Sequence, residues 1–378
     1  MKKKLLVLLL TLSMAVTLMT GCSSSESAES NANQNGDTTV GEETSDKITL
    51  QMVNCAFGIQ FCEVEREGAE AAAAELGNVE IVYNAPQQAS DIQGQIDMFN
   101  SAISQQPDAL LIAALDPGSV TQSLLIAQEK GIPVIAFDTS LPDAPEGSVA
   151  ATVHTNNVIA AELAAENMWK SEQFQSNLAN ASVDTPVVVS IISPDATTNT
   201  HADRIQGFTQ KIVELAEEKF HGAISVEGSS NFEDINVDNP TFIINIGISS
   251  TSSDEDVRRC AQSILSTDNQ AGIFCVNEAS VTALLSASTD GTDLDPETGK
   301  YKDIVVVGFD AGSTLKNAVK NEWFYGAVAQ NPYDIGYQAV MTAVSMIQNG
   351  SAEDVDAEAK WYDVTNMEDE DIAKILYD

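Results

Sequence analysis

The chain is poor in base. Eighteen Lys and Arg face 56 Asp and Glu, a formal charge of -38 over 378 residues. Proteins that grip nucleic acid carry a basic footprint to neutralise phosphates, so that class of partner is excluded. The acid excess speaks for solubility and weak self-association, and a monomer is expected. It could also favour cationic ligands, but a solvated acidic surface is the better account. Histidine is scarcer: His154, His201 and His221 are the only three. That is too few for a histidine-built metal centre or a triad. No Cys-x-x-Cys pair occurs, and neither does a Gly-x-Ser-x-Gly elbow, a P-loop, or a dinucleotide glycine fingerprint after the first strand. No enzyme activity, cofactor or metal is expected.

Long apolar runs are also missing. The longest candidate, Leu5 to Val16, is too short and too quickly broken to span a bilayer. It follows Lys2, Lys3 and Lys4 and leads into Leu18-Met19-Thr20-Gly21-Cys22. A positive start, a short apolar core and small residues at a cleavage point make a secretory signal. The stretch resembles a bacterial lipoprotein signal, which implies that Cys22 becomes the acylated N-terminus and anchors the protein outside the cell membrane or in the periplasm. Residues 23–46 are rich in Ser, Asn, Gly and acids and read as a flexible linker. Of the five cysteines, Cys55, Cys62, Cys260 and Cys275 remain. Cys55 and Cys62 are close enough in sequence to pair; Cys260 and Cys275 read as helix and strand positions, where buried thiols are as plausible as a bridge.

The remaining length, about 330 residues, suits two domains. From Lys47 onward, near-continuous apolar runs such as "DALLIAAL", "PVIAFD", "PVVVSII" and "DIVVVGFD" alternate with helical segments. Such runs suit parallel strands buried on both faces, joined by right-handed crossovers. A helix opened by Ser90, with Asp91 in its first turn, is expected in "SDIQGQIDMFNSAISQ". "EQFQSNLANASVDT" reads as a polar loop, residues 222–250 are ambiguous, and "AKWYDVT" closes as a last strand. The rhythm restarts after His154, giving two Rossmann-like lobes with a cleft between them.

In open α/β sheets, ligands bind beyond the carboxyl ends of strands. The polar residues at those ends are Asp116, Asp138, Asn277, Asp310 and Gln330. Arg204 lies near a helix start, and Phe57, Phe61 and Cys62 follow the first strand. Short planar side chains can hold neighbouring hydroxyls by two hydrogen bonds at once, and aromatics can cover the C–H face of a sugar. Asp116 is better read as ordering its own Asp-Pro-Gly turn.

Five runs, "GIPVIAFDTS", "DRIQGF", "GIFCVNE", "DIVVVGFDAG" and "GAVAQNPYDIGY", resemble bacterial periplasmic sugar-binding proteins of the ribose/galactose type, over residues 47 to 365. The resemblance implies the type I periplasmic-binding-protein fold, with a hinge of three crossing segments near His154–Asn157, Gln330–Pro332 and Ala357–Lys360. It implies an N-terminal lobe of 47–155 plus 331–357 and a C-terminal lobe of 156–330 plus 358–378. It also implies ligand roles for Asp138, Arg204, Asn277, Asp310 and Gln330, with Phe61 and Cys62 at the first helix. The expected ligand is a monosaccharide and the expected partner an ABC importer permease; a sensor component feeding a membrane receptor, or a receptor for a nucleoside, are the alternatives. The family usually opens its first helix with two aromatics, where this chain has Phe61 and Cys62. Its ribose binders follow the aspartate with arginine, where this chain has Thr139.

Overall fold

A computed structural model of the chain describes residues 47–232 and 235–377. The expected lipidation site Cys22 and the linker before Lys47 lie outside the described residues. The chain opens with β1 (Ile48–Val53), α1 (Gln60–Leu76), β2 (Val79–Asn84), α2 (Ile92–Ser104), β3 (Ala109–Ile112), α3 (Thr121–Glu129), β4 (Val134–Phe137) and β5 (Ala151–Thr155). It continues through α4 (Asn157–Lys170), α5 (Glu172–Leu178), β6 (Val187–Ser193), α6 (Asn199–Phe220), β7 (Ile224–Glu227), β8 (Phe242–Ile248), α7 (Asp254–Leu265), β9 (Gln270–Cys275), α8 (Glu278–Ala287), β10 (Val305–Phe309), α9 (Ser313–Lys320) and β11 (Gly326–Ala329). It ends with α10 (Pro332–Asn349), β12 (Val355–Ala357), β13 (Lys360–Tyr362) and α11 (Glu370–Ala373).

The strands form two sheets. The first has the order β12-β5-β4-β3-β1-β2 and is parallel throughout. The second has the order β13-β11-β10-β9-β6-β8-β7 and is parallel except where β13 runs against β11. Every residue of β3, β4, β6, β10 and β11 is buried, as expected for strands covered by helices on both faces. The edge strand β2 is only half-buried. Each lobe therefore has apolar cores above and below its sheet, with Leu50, Met52 and Val153 among the first and Ile191, Phe208 and Phe274 among the second.

In each lobe one pair of helices crosses at close range, and glycine permits it. A Cβ at Gly336 on α10 would lie 1.8 Å from the carbonyl oxygen of Glu65 on α1, and one at Gly207 on α6 would lie 2.2 Å from that of Val158 on α4. No side chain fits there, so these helices pack backbone to backbone.

The chain crosses between the sheets three times: after β5 into α4, after β11 into α10, and from β12 to β13 through Glu358 and Ala359. These are the three places the sequence indicated. Other details differ. The helix α2 is capped by Asp91, whose carboxylate accepts from Gly94 N at 3.0 Å, and Ser90 stands outside it. The supposed polar loop after Lys170 holds α5, capped by Ser171 and anchored by buried Phe174 and Leu178. The ambiguous stretch supplies β7 and β8 to one end of the second sheet, and β12 is an unexpected edge strand of the first.

Candidate functional site

Asp138 and Asp310 occupy matching positions in the two lobes. Each follows a phenylalanine that ends a strand, β4 or β10. Each donates its backbone N–H to the next strand at 2.9 Å, Asp138 to Val153 O and Asp310 to Val328 O. Each has a positive φ, 58° for Asp138 and 89° for Asp310. Such backbone is strained for most L-residues and least so for Asp and Asn, and strain of this kind concentrates at functional sites. The turn lifts both carboxylates off the sheet ends into one cleft.

That cleft has a volume of about 560 Å³ and is lined from both lobes. All seven ligand-site residues indicated by the sequence line it: Phe61, Cys62, Asp138, Arg204, Asn277, Asp310 and Gln330. So do Thr139, which stands where the family's ribose binders have arginine, and His201, Glu278 and Tyr377, which the sequence reading did not place at the site. Asp116 is absent from the lining; its carboxylate accepts from Ser119 N at 2.9 Å and orders the turn, as its Asp-Pro-Gly context indicated. A separate cavity of about 400 Å³ near Trp323 and Val364 is lined by the second lobe alone.

Arg204 is the pivot of the site. It is 5% exposed, with Nε donating to Asn157 Oδ1 at 2.8 Å and Nη1 to Val276 O at 2.9 Å. Its guanidinium lies 3.8 Å from the centre of the Phe309 ring and its Nη1 4.0 Å from Asp310 Oδ2. Gln330 Nε2 donates to Asp310 Oδ1 at 2.8 Å and Glu278 N to Asp310 Oδ2 at 3.2 Å, so Asp310 is held on both oxygens. Asp138 is held much less: among the described residues its carboxylate accepts only from Thr139, at 3.5 Å. Burial, with repulsion from Asp310 opposed by Arg204, pushes Asp138 up to about 6. Burial and the same Asp310 push Glu278 up to about 7.

Asn277 works chiefly for its own lobe. Its Oδ1 accepts from Ser280 N at 3.0 Å to cap α8, and its Nδ2 contacts His201 Nε2 at 3.0 Å. Since an amide nitrogen donates, His201 accepts there and gives its Nδ1 proton to Asp195 Oδ2, 3.1 Å away. Burial lowers the His201 pKa, which keeps the imidazole neutral. Partial burial works to raise Asp195, but N–H bonds from Thr198 and Thr197 outweigh it and hold the carboxyl at about 2.

The first lobe contributes a stapled wall. Cys55 and Cys62 form a disulfide, with Cα atoms 6.4 Å apart. The sulfur of Cys62 is therefore committed to Cys55, while the residue still faces the cleft. Asn54 braces the same loop, donating from Nδ2 to Cys62 O at 3.1 Å. Cys260 and Cys275 are free thiols. Phe61 meets Tyr377 edge to face with ring centres 5.7 Å apart, so the C-terminal tail closes one side of the site. Beneath this wall Glu65 is fully buried beside Asn54, and neither carboxyl oxygen makes a well-formed hydrogen bond. Burial and the nearby Asp138 raise its pKa well above the usual range.

Residues 50–351 match the family model described as a periplasmic binding protein domain. The chain belongs to that family. Among solved structures, this periplasmic binding protein is similar to an "ABC transporter, LacI family transcriptional regulator" from Brachyspira murdochii. The identity is 30%, covering 88% of this chain and 99% of that one, with a TM-score of 0.75. An ABC transporter solute binding protein from Agrobacterium vitis with bound D-fucose is 23% identical, covering 87% and 100%, with a TM-score of 0.63. A sugar-binding protein of a sugar ABC transporter from Bacillus halodurans is 22% identical, covering 85% and 99%, with a TM-score of 0.64. The last two attest the fold. The family is one of solute-binding proteins rather than enzymes. Among the described residues, no helix is long and apolar enough to cross a membrane.

Proposed function

We propose that this periplasmic binding protein is an extracytoplasmic lipoprotein, tethered through Cys22, that captures a sugar or sugar-like solute between its lobes and hands it to an ABC importer. The observation that carries this reading is the pair of matched aspartates, one from each lobe, converging with Arg204 on a cleft of about 560 Å³. Carboxylates fixed at two sides of a cleft can bridge the hydroxyls of one small ring, while Phe61 and Tyr377 offer an apolar face. Ligand contact by Asp138, Arg204, Asn277, Asp310, Gln330, Phe61 and the Cys62 wall follows from the same placement. The lobes, divided as 47–155 plus 331–357 and 156–330 plus 358–378, close on the ligand about the three crossings, and the closed form is what the permease recognises. D-fucose in the Agrobacterium vitis relative and the sugar-transport role of the Bacillus halodurans one support the same ligand class.

The test is calorimetry on the soluble chain lacking residues 1–22, against pentoses, hexoses, their phosphates and nucleosides. A sugar should bind, and Asp138→Ala and Asp310→Ala should each cost about 2–4 kcal/mol of its affinity. If both variants bound like the parent, the assigned cleft would be wrong. Binding confined to nucleosides would keep the receptor and discard the sugar.

A further inference from the structure

The charges in the cleft do not balance. Three carboxylates line it, Asp138, Glu278 and Asp310, against one guanidinium, that of Arg204. Arg204 and Asp310 lie within 4.0 Å and offset each other. Asp138 shares that one guanidinium with Asp310, and among the described residues Glu278 is met only by the backbone N–H groups of Leu315 and Gly312. Among the described residues, Asp138 accepts one long hydrogen bond from Thr139, and Oε2 of Glu278 is buried without a well-formed hydrogen bond. The neutral His201 supplies no cation. A neutral sugar would donate hydroxyl hydrogen bonds to these carboxylates but leave their charge uncompensated in a half-enclosed site, where charge is costly.

We infer that the preferred ligand carries a protonated amine: the cleft is built for an amino sugar more than for a neutral one. The inference rests on the sugar-capture reading above and narrows it. An ammonium group supplies several donors and a positive charge to a lining in which three carboxylates share one guanidinium. The crossed rings of Phe61 and Tyr377 offer further favourable contact to a cation. The formal -38 of the whole chain draws cations toward the cleft at long range. Burial raises the proton affinity of Asp138 and Glu278, so binding of a cation should pull both carboxyls toward the ionised form and release protons.

The experiment is isothermal titration of the soluble chain slightly below neutral pH, in buffers of differing ionisation enthalpy. The probes are D-glucosamine, D-galactosamine and D-mannosamine, each beside its neutral parent hexose and its N-acetyl derivative, which keeps the ring and loses the charge. At least one amino sugar should bind about tenfold or more tighter than both uncharged counterparts, with proton release read from the buffer dependence of the heat. In Glu278→Gln the ratio of amino-sugar to parent-sugar affinity should fall toward one, whatever the absolute loss. If neutral hexoses bind as tightly as the amines or tighter, the amine inference falls and the sugar reading stands. If none of the nine compounds binds, the amine inference falls, and the pentoses and sugar phosphates of the wider panel decide the sugar reading.

Discussion

Replacing Asp138 by Asn together with Glu278 by Gln should stabilise the fold, and should do so more at alkaline than at mildly acidic pH. Both carboxyls have raised pKa values in the folded state: Asp138 goes from 3.8 to about 6 and Glu278 from 4.5 to about 7, burial being the main cause in each. The folded state therefore holds these protons more tightly than the unfolded one. Its advantage is complete below the unfolded pKa values and is lost as pH rises through about 6 and then about 7. Between about pH 5 and about pH 8 the two groups together give up roughly three pH units' worth, about 4 kcal/mol at about 1.36 kcal/mol per unit. Both side chains are half-open to the cleft, and solvent screening reduces this to about 2 kcal/mol. Urea titrations at the two pH values, followed by Trp169, Trp323 and Trp361 fluorescence, measure it directly. Subtracting parent from double variant cancels the general self-repulsion of the acidic chain. A stabilisation equal at both pH values, or larger at the acidic one, would refute the picture of two carboxyls whose burial raises their proton affinity.

Three further outcomes are expected. Arg204→Lys keeps the charge but cannot serve Asn157 and Val276 with a rigid fork, so it should lower stability by about 2–3 kcal/mol in urea; an unchanged midpoint would mean these bonds do not hold the site together. Gly336→Ala puts a methyl 1.8 Å from the carbonyl oxygen of Glu65 and should cost about 1–3 kcal/mol by the same measurement, as α10 is pushed off α1. Non-reducing peptide mapping should recover Cys55 joined to Cys62, and alkylation of the native chain should spare buried Cys275, whose thiol burial pushes up, until the protein is unfolded.

The parallel core was plain in the sequence because its strands are buried on both faces, and continuous apolar runs have few other uses. The strand ends were plain for the same reason: a run such as "VIAFD" stops on the one residue that must leave the sheet. Where burial is one-sided or brief, the signal fades. Phe174 and Leu178 are too few to announce α5, and β12 contributes three residues at an edge. Asp91 outcompeted Ser90 as a cap because the helix starts one residue later than the hydroxyl suggested. The site itself was half legible. Asp138 and Asp310 follow strands, but Tyr377 reaches the cleft from a tail that folds back, and Glu278 stands in an ordinary first helical turn. Glu65 sits in "EVEREG", where local pattern suggests a solvated helix face; only its packing against α10 and the disulfide buries it.

The three crossings are close to three side-by-side straps, and the third is only Glu358 and Ala359 long. A joint made of one strap swivels freely; a joint of three in a row folds along a single line and resists twisting and sliding. On the closure proposed above, the lobes share essentially one angular coordinate. On that reading the bound solute sets the angle, and every point on the outer surface moves in proportion to its distance from the fold line. A partner touching both lobes far from the joint would register occupancy as a large displacement without meeting the ligand, which makes the protein a mechanical amplifier of a contact a few ångströms across.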